Sequence, residues 1–197
     1  MARRNLERHR RKGLDDLERQ MVEAASFGGL DDARVLEIGG GIGTLQAELL
    51  DRGAAQGEVV ELVSAYEPYA RELAHERGLE DRTSFRVADL LEDPGAVEPA
   101  DVVLMNRVVC CSPDGVALTG EAAKLARHTL VLSYPRDVVW VRTGLRLFNM
   151  GLLLLGRSFR TFVHPPAALA AAAEAAGLRQ LDSGHGFVWQ FAAFQRS

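Results

Sequence analysis

The sequence predicts an α/β fold, a largely parallel sheet with helices on both faces. Three observations predict it. Residues 35–51 read as strand, glycine turn and helix. From there to residue 133, strand-like apolar runs alternate with helical stretches, the pattern of parallel strands joined by crossover helices. Finally, residues 178–182 and 187–194 read as two strands around Ser183-Gly184-His185-Gly186.

The elements follow in chain order. Residues 1 to about 26 read as one helix, because Leu14, Leu17, Met21, Val22 and Ala25 recur at helical spacing and Gly28-Gly29 stops the pattern. Val35 to Ile38 is the first strand, and Thr44 to Asp51 a helix that sets Leu45, Leu49 and Leu50 against a sheet. Glu58 to Leu62 is the second strand. Ala65 to Arg77 is a helix closed by Gly78, with Glu67 in its first turn, where a carboxylate favours the helix dipole. Thr83 to Ala88 is the third strand and Asp101 to Met105 the fourth, with a loop at Pro94, Gly95 and Pro99 between them. A helix starts at Ser112-Pro113-Asp114 and runs to about Ala126, and His128 to Ser133 is the fifth strand. Residues 138–156 are apolar almost all round, the pattern of a helix that is buried, caps a greasy pocket or lies on lipid. Pro165-Pro166 opens an alanine-rich helix that Gly177 stops.

The glycine turn carries the chemistry. The dinucleotide fingerprint G-x-G-x-x-G fails in either frame, since Thr44 or Ile42 stands where a glycine is needed, and no G-x-x-x-x-G-K-[ST] phosphate loop is present. The pattern that fits is Glu37-x-Gly39-x-Gly41-x-Gly43. It resembles the first motif of class I S-adenosylmethionine (SAM)-dependent methyltransferases, and among them the small-molecule enzymes related to ubiquinone-biosynthesis and magnesium-protoporphyrin methyltransferases. The resemblance implies a Rossmann-like seven-stranded mixed sheet in the order 3-2-1-4-5-7-6, with the last strand antiparallel. Residues 31–197 would form this domain. Residues 1–30 would be a basic, amphipathic helical segment, and 138–164 a lid-like helical insertion over the acceptor.

The resemblance also implies roles. Gly39, Gly40, Gly41 and Gly43 would pass under the amino-acid end of the cofactor, with Glu37 orienting its ammonium group. Glu61, 20 positions after Gly41, would accept the ribose hydroxyls, beside Leu62 and with Tyr66 flanking. Asp89 would receive the adenine amino group, with Leu90 against the ring. Asn106 and Arg107, at the carboxyl end of the fourth strand, would lie beneath the methionine portion or the acceptor. Cys110, Arg142, Arg146 and Phe148 are the candidate acceptor contacts. Arg142 and Arg146, four apart on one helix face, either hold an acidic group or stay in water. If the acceptor must lose a proton, His164 and Tyr134 are the candidate bases, with His185 third. SAM would be the cofactor and S-adenosylhomocysteine (SAH) the product.

Composition bounds the rest. A chain of 197 residues, 47% hydrophobic and 25% charged, suits one globular domain, and its net charge of −4 does not suggest nucleic acid. The place of the [DNS]-P-P-[YF] motif of base methyltransferases reads Asn106-Arg107-Val108-Val109, which disfavours base methylation. The first twelve residues hold six basic side chains and one acid, read as a solvated, partly frayed helix end. A membrane surface is the minor alternative, acting through that arm and the lid. Cys110 and Cys111 are adjacent, offer no disulfide framework or metal cluster, and read as core filler in a reducing cytoplasm. No metal is expected, and the state is monomer or homodimer. Two rival functions stand beside the enzyme: a SAM-binding sensor or partner subunit without catalysis, and a nicotinamide-dependent reductase.

Overall fold

The computed structural model describes residues 1–196. Its helices are α1 (Ala2–Lys12), α2 (Asp16–Ala25), α3 (Thr44–Asp51), α4 (Glu67–Arg77), α5 (Gly115–Leu125), α6 (Val139–Leu154) and α7 (Pro166–Ala175). Its strands are β1 (Arg34–Ile38), β2 (Gln56–Glu61), β3 (Thr83–Val87), β4 (Ala100–Asn106), β5 (Ala126–Pro135), β6 (Leu178–His185) and β7 (Trp189–Arg196). They form one sheet in the order β3-β2-β1-β4-β5-β7-β6. The first five strands pair in parallel, and β7 runs antiparallel to both β5 and β6. The expected topology is therefore the observed one.

The central strands are covered on both faces, so they read as apolar runs rather than alternating ones. Side-chain alternation still sorts them into two cores. Val35, Val102, Leu104 and Val131 pack on the side of α1–α4, with Leu6, Leu17, Met21, Val22, Leu45 and Leu49. Leu36, Ile38, Val103, Met105, Leu130 and Leu132 pack on the side of α5 and α7, with Leu118, Ala122, Leu169 and Ala173.

Two expectations about the N-terminus need correction. The predicted single helix over 1–26 is two helices. α1 stops at Gly13, which sits at φ 63. α2 starts afresh with a capping box: Asp15 accepts from the Glu18 N–H while Glu18 accepts from the Asp15 N–H. Nor is the basic arm a frayed end. Leu6 is buried in the core, and the Arg10 guanidinium pairs with Glu72 and Glu76 on α4.

All parallel strands point the same way. The glycine turn after β1, the loops after β2, β3 and β4, and α6 after β5 therefore leave from one edge of the sheet.

Candidate functional site

β1 ends at Ile38 and the chain enters the turn 39–43. Gly39 has φ +63, and a Cβ there would meet Val108 Cγ2 at 2.5 Å. Neither the angle nor the space admits a side chain. A Cβ on Gly40 would lie 2.7 Å from Glu37 Cγ, so the turn lies directly on the Glu37 side chain. Beneath it the carboxylate is only 1% exposed, and Oε2 accepts from the Gln46 N–H at 2.9 Å. Burial pushes this carboxyl up to about 8, the bonds from Gln46 and Leu45 N–H oppose the rise, and nearby Glu18 and Glu61 add to it. The residue expected to touch an ammonium group is sealed under the turn. It fills the space beneath the turn and already occupies the N-terminus of α3.

Glu61 stands at the end of β2 on the other side of the turn. Its Oε2 accepts from the Gly41 N–H at 3.1 Å, and Oε1 from the N–H groups of Leu62 (2.9 Å) and Val63 (3.3 Å). Glu67, in the first turn of α4, pairs with Arg71 at 2.6 Å. The Tyr66 ring lies over Gly41, 3.3 Å from where a Cβ would stand. Burial and the neighbouring Glu61 push its hydroxyl above the ordinary value. The Leu62 side chain points to water. Asp89 Oδ1 accepts from the Leu91 N–H at 2.9 Å, which shapes the loop after β3. Leu90 is a correction: its side chain is buried in the core with Leu36 and Val60 rather than presented to a ring.

At the end of β4 the chain does something the sequence did not announce. Asn106 Nδ2 donates to Glu18 Oε1 at 3.1 Å, while its Oδ1 accepts from Ser133 Oγ at 2.7 Å. Ser133 Oγ in turn accepts from the Arg107 N–H at 2.9 Å. Arg107 has φ 59, which aims its guanidinium at Asp15 Oδ2 (2.5 Å) and over the Trp189 ring (5.2 Å to the centroid). Its Nε is a buried donor with no partner among the described residues. Asn106 and Arg107 thus join β4 and β5 to α2. Asp15, Glu18 and Ser133 are site residues the sequence reading missed; the Asp15-x-x-Glu18 capping pattern was the available signal for two of them.

The candidate bases separate. Tyr134 and His185 line one cavity of about 300 Å³ at the ends of β5, β6 and β7, under the start of α7, together with Ser183 and Gln190. Tyr134 is paired with Gln190, and Gln190 with His185, across adjacent strands, so the three share a face. Gln190 Nε2 is buried there with no partner among the described residues. Burial pushes the Tyr134 hydroxyl above its ordinary value. His164 lies elsewhere and is a correction. It is buried, packs against Gly115, and its Nε2 donates to the Ser112 carbonyl at 3.0 Å. That contact fixes the turn before α5, the role of a structural histidine. A second concavity, of about 470 Å³, lies at the opposite edge of the sheet, against Gly28, Asp31 and His128.

The proposed acceptor contacts are also dispersed. Cys110 is buried with its Sγ donating to the Arg107 carbonyl at 3.4 Å, and Cys111 is exposed. Arg142 pairs with Asp137, and Arg146 and Phe148 face water. Only Val141 of α6 is buried. The returning segment is tied down by one side chain: Asn149 Nδ2 donates to the Thr161 carbonyl (2.7 Å) and Asn149 Oδ1 accepts from the Thr161 N–H (2.9 Å). Further on, the Phe162 N–H donates to the Cys110 carbonyl at 2.8 Å. Among the described residues no group of three or more His, Cys, Asp or Glu is placed to hold a metal.

No protein-family model matches the chain, and no curated protein matches it in sequence. Solved structures do. A magnesium protoporphyrin IX methyltransferase (ChlM) from Synechocystis PCC 6803, with SAH bound, superposes at a TM-score of 0.72 and 18% identity, covering 91% of this chain and 83% of that one. An O-methyltransferase family protein from Burkholderia thailandensis gives a TM-score of 0.72 at 23% identity, covering 92% of this chain and 56% of that one. The [4+2]-cyclase SpnF gives 0.67 at 14% identity, covering 91% and 81%. At these identities the likeness is one of architecture. The chain has the Rossmann-like fold of the class I methyltransferases.

Proposed function

We propose that this chain is a SAM-dependent methyltransferase acting on an O, N or S atom of a small acceptor with an apolar or aromatic body. One observation carries the reading. In a dinucleotide site, a bound pyrophosphate takes the free N–H groups at the helix N-terminus. Here Glu37 already holds the N-terminus of α3, and Glu18 and Glu61 lie near enough to push its carboxyl up further. A helix N-terminus already filled by Glu37, with the Glu61 carboxyl group on the Gly41 N–H, suits a pyrophosphate poorly and a ligand carrying an ammonium and a sulfonium better. This also tells against the nicotinamide reductase.

SAM, when bound, supplies a methyl group on a sulfonium leaving group, open to in-line displacement. The chain's own residues position and enclose. Glu61, pinned by three N–H groups between β2 and the turn, is oriented to accept sugar hydroxyls. Asp89 is held at the end of β3 for the base. The cavity of Tyr134, His185 and Gln190 is the acceptor site of this reading; burial keeps the Tyr134 hydroxyl protonated, which leaves His185 as the group to take a proton from an acceptor that must lose one. The similarity to a magnesium protoporphyrin IX methyltransferase is in keeping with an aromatic acceptor.

Calorimetry with SAH and with NADH, followed by SAH release against an acceptor library, tests the reading. SAH binds and NADH does not. Glu61→Ala weakens SAH binding about tenfold or more, the worth of hydrogen bonds to a charged group. Binding of NADH in preference to SAH would sink the assignment. SAH binding without turnover on any acceptor would assign the chain to the non-catalytic alternative.

A further inference from the structure

α6 is fastened to the body along one stripe, Val141, Leu145, Asn149 and Leu152. The opposite stripe, Val139, Thr143, Leu147, Met150 and Leu154, recurs at helical spacing and stands in water. Val139 is 78% exposed and Leu154 81%. At the C-terminal end of α6 Leu155 and Phe159 are exposed as well; at its start Phe187, 79% exposed, stacks on Trp140 with ring centroids 4.4 Å apart. A continuous exposed apolar surface of this kind marks an interaction site.

The charge of the segment selects the partner. Residues 138–164 contain Arg142, Arg146, Arg157 and Arg160 and no Asp or Glu, in a chain whose net charge is −4. Arg146 stands beside Val139 and Met150 on the helix surface, and Arg157 and Arg160 bracket Phe159. An apolar stripe bordered by arginines, with aromatic rings at its rim, is the composition of an element that lies in a lipid headgroup layer. A helix of 16 residues is about 24 Å long, short of the ~30 Å hydrocarbon core. Among the described residues no helix is long and apolar enough to cross a membrane.

We infer that α6, residues 155–160 and Phe187 rest on the surface of an anionic bilayer, with the apolar stripe at the acyl boundary and the arginines on lipid phosphates. Arg142 is paired with Asp137, but a second copy of the chain in the same place would still bring together two sets of Arg146, Arg157 and Arg160, which opposes it. The inference does not depend on the cofactor assignment.

Co-sedimentation with vesicles tests it. Vesicles of phosphatidylcholine with phosphatidylglycerol bind the protein, and vesicles of phosphatidylcholine alone do not. Raising salt from about 50 to about 300 mM releases it. Arg157→Glu and Arg160→Glu each weaken binding by about fivefold or more, and the pair Leu147→Glu/Leu154→Glu abolishes it while circular dichroism and SAH affinity stay unchanged. Trp140 emission shifts to the blue on binding, with Trp140→Phe separating it from Trp189. No binding to anionic vesicles, or equal and salt-insensitive binding to neutral ones, overturns the inference. So does a dimer in light scattering that Leu147→Glu/Leu154→Glu dissolves, which would give the face to a second copy.

Discussion

The turn 39–43 and the helix α6 leave the same edge of one sheet, and they satisfy their chemistry in opposite ways. Around the turn, the carboxylates of Glu37 and Glu61 are fixed by backbone N–H groups, and Gly39 and Gly40 stand where no larger residue fits. On α6 a single residue is buried, and most of the large apolar side chains face water. The first region is complete within the chain. The second is finished only by something outside it. A region whose interactions are all internal is a template for one ligand shape, whereas an unpartnered face reports a surface to be met.

The contrast can be broken by substitution. The largest effect belongs to the turn. Gly39→Val combines a left-handed backbone angle with a collision against Val108, so it should cost about 3 kcal/mol of stability and remove SAH binding, as read by urea titration and calorimetry. Next comes the pH dependence of Glu37. Its ordinary value of 4.5 is raised to about 8 in the folded chain. The folded protein therefore keeps a proton that the unfolded chain loses between those values, and the contribution of this group to stability falls as pH rises through that window. Glu37→Gln keeps an acceptor for the Gln46 N–H but cannot ionise. Measured by urea titration at pH 5 and again at pH 8.5, its stability relative to the parent should rise with pH. A difference that stays flat would show that the carboxylate is not sealed as described.

Smaller effects sharpen the α6 side. Asn149→Ala should release the return segment, costing about 1–2 kcal/mol locally and speeding amide exchange at Thr161 while the global melting point barely moves. The smallest change is Leu147→Gln, expected within about 0.5 kcal/mol of the parent by urea titration. The same measurement on Leu45→Ala, in the core beside the turn, should show a loss of about 2–5 kcal/mol.

Nearly every element was legible because buried parallel strands and glycine-stopped helices write local patterns, α3 running from Thr44 to Asp51 as its leucine spacing requires; the sheet order came only through the resemblance that the Glu37-to-Gly43 motif carries. The break at Gly13 was missed because the apolar spacing carries on across it, and only the capping box at Asp15 marks the restart. The latch from Asn106 and Arg107 to Glu18 and Asp15 joins residues roughly ninety apart, a distance over which no local pattern speaks. His164 and Tyr134 looked alike as isolated titratable residues. What separates them is the company the fold gives each: a carbonyl and a glycine for one, a cavity shared with His185 for the other. The outer face of α6 was legible as apolar, but its exposure was not, since a helix that is greasy all round fits a buried position equally well.

The capping box of α2 reaches beyond its own helix. Glu18 uses one oxygen to hold the start of its own helix and the other to hold Asn106 at the tip of β4. Fraying α2 by a single turn would therefore let go of the strand end in the same stroke, leaving Arg107 without Asp15. One carboxyl group thus couples the start of α2 to the tip of β4.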